Sequence, residues 1–152
     1  MGVSRYNSEG YPDPTIYGAL SKIENEIKAA RAYRPIVYVC SPFSGNVEEN
    51  TANARKYCRF AVEHGYIPIT PHLLYPQFLS DNDPMERELG PHFDNVLMSH
   101  CIEVWVFGET ISTGMDAEIR RAKRKNYRQQ YFNSTLEEVL DIKLGNCETS
   151  LI

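Results

Sequence analysis

The chain has 152 residues, of which 42% are hydrophobic and 24% charged, and its formal net charge at pH 7 is -4. A chain of this size predicts one domain that buries a core without disulfide bonds. The acidic balance argues against nucleic acid as a partner, and no apolar run approaches the ~20 residues that span a membrane. We expect a cytoplasmic protein without membrane contact, because the first residues lack the apolar core of a signal peptide.

The cysteine pattern predicts no metal site. None of the four cysteines forms a C-x-x-C pair or a Cys/His cluster with zinc spacing. Cys40 and Cys101 adjoin apolar runs, which predicts buried thiols in a reducing compartment.

The N-terminal part predicts a mobile segment, residues 1–14, followed by an amphipathic helix within residues 15–34. Asp13 is a suitable helix cap, and Pro14 suits the first helical position. The helix carries one apolar stripe, made of Ile16, Leu20, Ile23 and Ile27. This stripe is expected to pack on the sheet or on a partner subunit.

A β-branched run predicts the central strand, Ile36–Cys40. The loop Ser41–Asn46 follows it and leads into a helix that begins near Val47 or Glu48 and runs to His64. A loop of small polar residues at this point presents backbone N–H groups and hydroxyls to a ligand. An ordinary turn explains the pattern equally well, since neither the G-x-G-x-x-G nor the P-loop fingerprint is present.

The next segment predicts a short strand and a wall. Tyr66–Thr70 has strand character, and Pro68 favours a position at the sheet edge. Pro71–Phe78 is rich in aromatic residues and proline, which suits the wall of a pocket or a self-packed surface loop. His72 is a candidate substrate contact, although a structural histidine is the favoured interpretation.

A helix is predicted from Pro84 to about His100, with a possible interruption at Gly90–Pro91. Asp94 lies among its apolar positions. A carboxylate there is paired, functional or exposed, because an unpaired buried charge is costly. Arg87, seven residues earlier on the same face, is the candidate partner.

The most informative stretch is Val104–Glu118. Its apolar run predicts a strand covered on both faces, and Thr113 followed by Asp116 has the spacing of a helix cap. Glu118 then lies in the second turn of that helix.

The basic run over residues 120–125 suits a solvated helix end, where positive charge offsets the helix dipole. Gln130–Phe132 predicts a last strand, Ser134–Thr135 a small helix, and residues 143–152 a flexible tail.

This order of elements predicts an α/β domain over residues 35–142, with a flavodoxin- or Rossmann-like parallel sheet of four or five strands and helices on both faces. The carboxyl ends of the strands face one crevice, where such sheets bind ligands. Glu118 would act there either as a nucleophile at a sugar carbon or as a hydrogen-bonding group for sugar hydroxyls.

Two motifs resemble the nucleoside 2-deoxyribosyltransferase-like superfamily. Ile36–Phe43 resembles its first strand and loop, and Gly114–Ala122 resembles its G-x-x-x-E-[IL]-G-x-A helix. The stretches S-P-F-S-G, P-H-L-L-Y-P-Q-F-L and W-V-F-G-x-x-I-S-x-G-M are most similar to an uncharacterised bacterial and phage branch of this group. The resemblance covers roughly residues 35–132.

The resemblance implies that Glu118 attacks the sugar C1′ and releases a base, with Asp94 holding the sugar or assisting the leaving base. It implies no metal or redox cofactor, a nucleoside or nucleotide substrate, and a homo-oligomer. The candidate substrate-binding residues at the crevice are Ser41, Pro42, Phe43, Ser44, Gly45, His72, Ser112, Gly114 and Met115.

Three functional hypotheses follow. Ser112 stands near a position where transferases of the superfamily often carry a second aspartate. Arg120 replaces a glycine, which would place a bulky cation beside the site and favour a phosphorylated substrate. Base transfer and hydrolysis of the N-glycosidic bond are both compatible with this pattern. The alternatives are a nucleotide- or nucleotide-sugar-binding sensor without turnover, and a structural protein whose leading helix docks elsewhere.

Overall fold

The computed structural model describes residues 4–143, which divide between Tyr33 and Arg34 into two compact units. The first contains helix α1, Pro14–Ala30, with Pro14 at its first turn as predicted. The Asp13 carboxylate caps it by accepting a hydrogen bond of 3.1 Å from the Ile16 N–H. The predicted mobile segments lie partly outside the described residues, at positions 1–3 and 144–152.

The second unit alternates strands and helices, as expected for an α/β domain. Its elements are β1 (Ile36–Cys40), α2 (Val47–Glu63), β2 (Ile67–Ile69), α3 (Pro84–Ser99), β3 (Glu103–Phe107), α4 (Thr113–Arg124), β4 (Arg128–Phe132) and β5 (Glu138–Val139). Two short 3-10 turns, Pro71–Leu73 and Tyr75–Gln77, connect β2 to α3. Among residues 4–143, no helix combines the length and apolar character needed to cross a membrane.

The sheet has the strand order β2-β1-β3-β4-β5. The first four strands are parallel, and β5 pairs antiparallel with β4. The predicted α/β fold with a mainly parallel sheet is therefore confirmed. β2 lies at one edge of the sheet. Proline has no backbone N–H, and at an edge this costs no hydrogen bond to a further strand.

Alternating residues of β1 face opposite layers of the core. Tyr38 and Cys40 pack in the cluster formed with α3 and α4, whereas Val37 and Val39 pack with α2. All four side chains are buried. The continuous apolar character of this strand follows from being covered on both faces.

The predicted small helix after Asn133 is wrong, because this segment forms a hairpin turn into β5. The Asn133 side chain accepts hydrogen bonds from the N–H groups of Thr135 and Glu137, at 3.1 and 2.9 Å. Leu136 adopts φ of 67°, in the left-handed region that a continuing helix does not allow. Local side-chain capping therefore favours a turn over a helix here.

Two helices add detail to the predictions. α3 continues through Pro91, so the possible interruption near Gly90–Pro91 does not occur. α4 is capped by Ser112, whose hydroxyl accepts from the Met115 N–H at 3.3 Å. Thr113 is therefore the first residue of the helix and not its cap.

Candidate functional site

A cavity of about 340 Å³ opens between the loop after β1, the connection from β2 to α3, and helix α4. Parallel strands present such crevices at their carboxyl ends. The predicted site residues that line it are Ser41, Phe43, Ser44, His72, Asp94, Ser112, Gly114, Met115 and Glu118. The lining also includes Pro71, Tyr75 and Pro76, in agreement with the predicted wall.

Glu118 is fixed against the central strand. The Tyr38 hydroxyl donates a hydrogen bond of 2.7 Å to Glu118 Oε1. Tyr38 reaches it because this residue points to the α4 side of β1, whereas its neighbours point to α2. The carboxylate thus has a defined orientation at the cavity, which a nucleophile or a sugar-binding group requires.

Burial raises the pKa of Glu118 above its ordinary value, because the charged form loses hydration. The Cys40 thiol, the Tyr38 hydroxyl and the Arg121 charge act in the opposite direction. Burial and the Glu118 charge also raise the pKa of Tyr38, which keeps its hydroxyl a donor.

Asp94 faces the same cavity from α3. Burial, followed by the negative charge of Glu118, raises the pKa of Asp94 to about 7, and the Arg121 charge partly opposes this shift. Its buried Oδ1 makes no hydrogen bond with the described residues. A carboxyl with a pKa near neutrality gives and takes protons readily, which suits general acid–base chemistry.

Arg87, the candidate partner of Asp94, forms no ion pair with it. The Arg87 Nε donates instead to the Asp81 carbonyl oxygen at 2.9 Å, and its Nη2 donates to the same oxygen. The guanidinium therefore secures the turn before α3 and leaves Asp94 to the cavity.

Arg120 does not lie beside the cavity, contrary to the prediction. Its Nε forms an ion pair of 2.8 Å with Asp116 Oδ2 on the surface of α4, and 73% of its side chain is exposed. Arg121, which the sequence reasoning missed, lines the cavity. The spacing of three residues from Glu118 was the available signal, because residues at i and i+3 share a helix face.

The loop after β1 contacts His72. The Ser41 Oγ lies 3.1 Å from His72 Nε2, and the rings of Phe43 and His72 are 5.5 Å apart. Burial lowers the pKa of His72 to about 4, so its imidazole is neutral at physiological pH. His72 therefore contacts Ser41 and also lines the cavity, and a contact with substrate stays a prediction.

Pro42 and Gly45 are the predicted site residues that do not line the cavity. Pro42 packs against Gly108: a Cβ at Gly108 would lie 3.5 Å from the Pro42 ring. Gly45 has φ of 94° in the turn before α2. Both residues shape the loop that carries Ser41, Phe43 and Ser44.

The site therefore combines an oriented carboxylate, a second carboxyl with a pKa near 7, and the guanidinium groups of Arg87 and Arg121. Aromatic side chains from Phe43 and Tyr75 contribute to the walls. Within residues 4–143, no group of three or more His, Cys, Asp or Glu side chains is arranged to hold a metal ion.

The family profile of DUF7768, a domain of unknown function, matches residues 35–132. The chain belongs to this family. The match begins just before β1 and ends with β4, so it contains Asp94, Glu118 and Arg121. No curated protein sequence matches the chain significantly.

A solved structure of a 2-deoxyribosyltransferase from the psychrotolerant bacterium Bacillus psychrosaccharolyticus is similar to this DUF7768 protein. The TM-score is 0.56 at 14% sequence identity, and the alignment covers 70% of this chain and 77% of the transferase chain. At this identity the similarity establishes the fold, and the predicted deoxyribosyltransferase-like fold is confirmed.

Proposed function

We propose that this DUF7768 protein cleaves or exchanges the N-glycosidic bond of a nucleoside, a deoxynucleoside or the corresponding monophosphate. The observation that carries the proposal is the Glu118 carboxylate, held at the cavity by the Tyr38 hydroxyl at 2.7 Å. A carboxylate in such a position is suited to trap an oxocarbenium-like sugar carbon.

In the proposed reaction, Glu118 Oε attacks C1′ of the sugar while the bond from C1′ to the base nitrogen breaks. The bonding electron pair leaves with the base, and protonated Asp94 supplies the proton that neutralises it. The resulting glycosyl ester of Glu118 is then attacked by water, which gives hydrolysis, or by a second base, which gives transfer. Ionised Asp94 takes up the proton of the attacking group.

The cavity offers complementary contacts for the remainder of a nucleoside. Phe43 and Tyr75 provide aromatic surface on which a base can stack. The Ser41 hydroxyl and the backbone of Ser44 lie at the loop after β1 and suit a sugar or a phosphate. These substrate contacts are part of the proposal, and so is assembly into a homo-oligomer.

The enzyme proposal is tested with a panel of nucleosides, deoxynucleosides and 5′-monophosphates, in which base release is measured by chromatography with and without a second base. Glu118→Ala is expected to abolish release while the protein still binds the substrate. Asp116→Asn is the matched control, because Asp116 lies on the same helix but pairs with Arg120 at the surface. Lack of base release from every compound with the wild-type protein would exclude the proposed reaction.

A second candidate is a nucleotide- or nucleotide-sugar-binding sensor. It is favoured by Ser112, which stands close to the position where the resemblance implies a second aspartate. Its hydroxyl instead caps α4 through the Met115 N–H. Under this alternative, nucleotides raise the melting temperature of the wild-type protein although no base is released.

A further inference from the structure

Arg121 separates two depressions of opposite charge. On one side lies the cavity, whose lining includes four acidic residues, Asp81, Glu86, Asp94 and Glu118, and, in the described part of the chain, only one cation besides Arg121, namely Arg87. On the other side lies a more open groove, to which Arg121, Arg124 and Lys125 contribute cationic side chains and no Asp or Glu contributes. The guanidinium is thus shared between the proposed reaction centre and a cationic surface.

The Arg121 Nη1 is buried and has no hydrogen-bond partner among the described residues. A buried N–H donor of a charged group is costly to leave unpaired. None of the ion pairs within residues 4–143 includes Arg121 or Arg124. This arrangement favours an anionic ligand that supplies the missing acceptor.

Helix-dipole compensation does not account for this arrangement. Arg121, Lys123 and Arg124 lie in the last turn of α4, where their charges offset the partial negative charge of the helix end. This effect favours a positive charge at Arg121. It does not provide a hydrogen-bond acceptor for the buried Nη1 of that residue.

We propose that the substrate is phosphorylated and that Arg121 binds its 5′-phosphate, assisted by Arg124 and Lys125. This inference rests on the proposed function, which identifies the uncharged part of the ligand as a nucleoside. Side chains three residues apart on a helix have Cβ atoms about 5–6 Å apart, a span comparable with one sugar ring. Glu118 can therefore reach C1′ of a ribose while Arg121 reaches the 5′-phosphate of the same molecule. A guanidinium binds phosphate through two parallel hydrogen bonds.

The test is a binding measurement by calorimetry on matched pairs of a nucleoside and its 5′-monophosphate, with inorganic phosphate as a separate probe. The wild-type protein is expected to bind the monophosphate about tenfold or more tightly than the nucleoside, as for a hydrogen-bonded charge pair. Arg121→Gln is expected to remove most of this advantage, Arg124→Gln part of it, and Arg121→Lys to retain some. Arg120→Gln is the matched control and is expected to keep the full advantage, because Arg120 lines neither depression.

The proposal is wrong if the wild-type protein binds the nucleoside and the monophosphate with equal affinity. It is also wrong if the tighter binding of the monophosphate survives Arg121→Gln, or if Arg120→Gln removes it to the same extent. If inorganic phosphate binds as tightly as the monophosphate, the site holds a free anion and the nucleotide assignment is wrong. If Arg121→Gln does not fold, Arg121→Lys and Arg124→Gln decide the question. The two proposals can fail separately. If the monophosphate binds through Arg121 but no base is released, the proposed function is wrong. If base is released but the nucleoside and the monophosphate bind with equal affinity, only the phosphate site is wrong.

Discussion

The Tyr38 hydroxyl and the Glu118 carboxylate are joined by a hydrogen bond of 2.7 Å that links the central strand to the second turn of α4. Strand β1 is covered on both faces, so Tyr38 has little freedom to move. The bond therefore fixes the carboxylate against a buried strand. Its donor also stabilises the charged form of Glu118.

Tyr38→Phe is expected to reduce base release by about tenfold, the effect of losing one hydrogen bond to a charged group, and to move the acidic limb of the pH–rate profile to higher pH. Loss of a donor to the carboxylate raises the pKa of Glu118 further, so a higher pH is needed to ionise it. The measurement is kcat/KM between pH 4 and pH 9. Tyr66→Phe is the control, because that hydroxyl binds Glu103 at 3.3 Å, away from the cavity. An unchanged acidic limb in Tyr38→Phe would show that the bond does not tune Glu118.

Asp94→Asn is expected to reduce base release by about 10² to 10⁴, the usual effect of removing a general acid or base. In the wild-type protein, the rate should decline as pH rises through about 7, because the pKa of Asp94 is about 7 and only the protonated form donates. The variant should lack this decline. Since Glu118 and Asp94 interact, the two limbs report the pair of carboxyl groups together. A basic limb that persists in Asp94→Asn would assign it to another group.

The same variant gives a separate prediction for stability. The pKa of Asp94 is raised in the folded protein, so the folded state binds the proton more tightly than the unfolded chain. The free energy of unfolding therefore falls as pH rises from about 4, the unfolded pKa, to about 7. Because the site is partly open to solvent, about 1–3 kcal/mol should be lost over this interval.

Asp94→Asn cannot ionise, so its stability relative to the wild-type protein should increase between pH 4 and pH 8. Glu118 and Arg121 face Asp94 in both proteins, so their direct contributions largely cancel in the difference. Urea unfolding at the two pH values measures it. Asp116→Asn, which changes a surface ion pair, should show a much smaller pH dependence. A difference that is the same at both pH values would mean that folding does not shift the pKa of Asp94.

Gly108→Ala is expected to destabilise the protein by about 1–3 kcal/mol, because φ at this position is 125°, a conformation that residues with a Cβ rarely adopt. The added Cβ would lie 3.5 Å from the Pro42 ring, an ordinary van der Waals contact, so the cost arises from the backbone conformation and not from a clash. Thermal or urea unfolding checks the effect. Gly114→Ala is a control with no atom within 4 Å of the new Cβ and an ordinary helical position. Equal effects of the two substitutions would argue against strain at Gly108.

Much of the fold was predictable from short-range patterns. The strand Ile36–Cys40 is continuously apolar because both its faces are buried, and its limits were predicted correctly. The turn after Asn133 was not predicted correctly, because Ser134, Thr135 and the following apolar residues fit a helix as well as they fit a turn. The deciding interaction is the Asn133 side chain, which closes the turn to Glu137, and sequence spacing does not reveal that choice.

The site was predictable at the level of its carboxylates and less so at the level of its cations. Glu118 and Asp94 both line the cavity, but Arg121 replaces Arg120 as the cation beside them. Consecutive helix residues differ by about 100° in direction, so an error of one position exchanges a surface ion pair for a cavity residue. Arg87 shares a helix face with Asp94, yet the carbonyl oxygen of Asp81, in the turn before α3, captures its guanidinium.

The two outer strands of the sheet are short. β2 spans Ile67–Ile69 and contains Pro68, and β5 spans only Glu138–Val139. A strand from another molecule would find few free N–H and C=O groups on either side, and proline removes one of the donors. The sheet is therefore poorly suited to template edge-to-edge aggregation at high protein concentration, even though its central strands are strongly apolar.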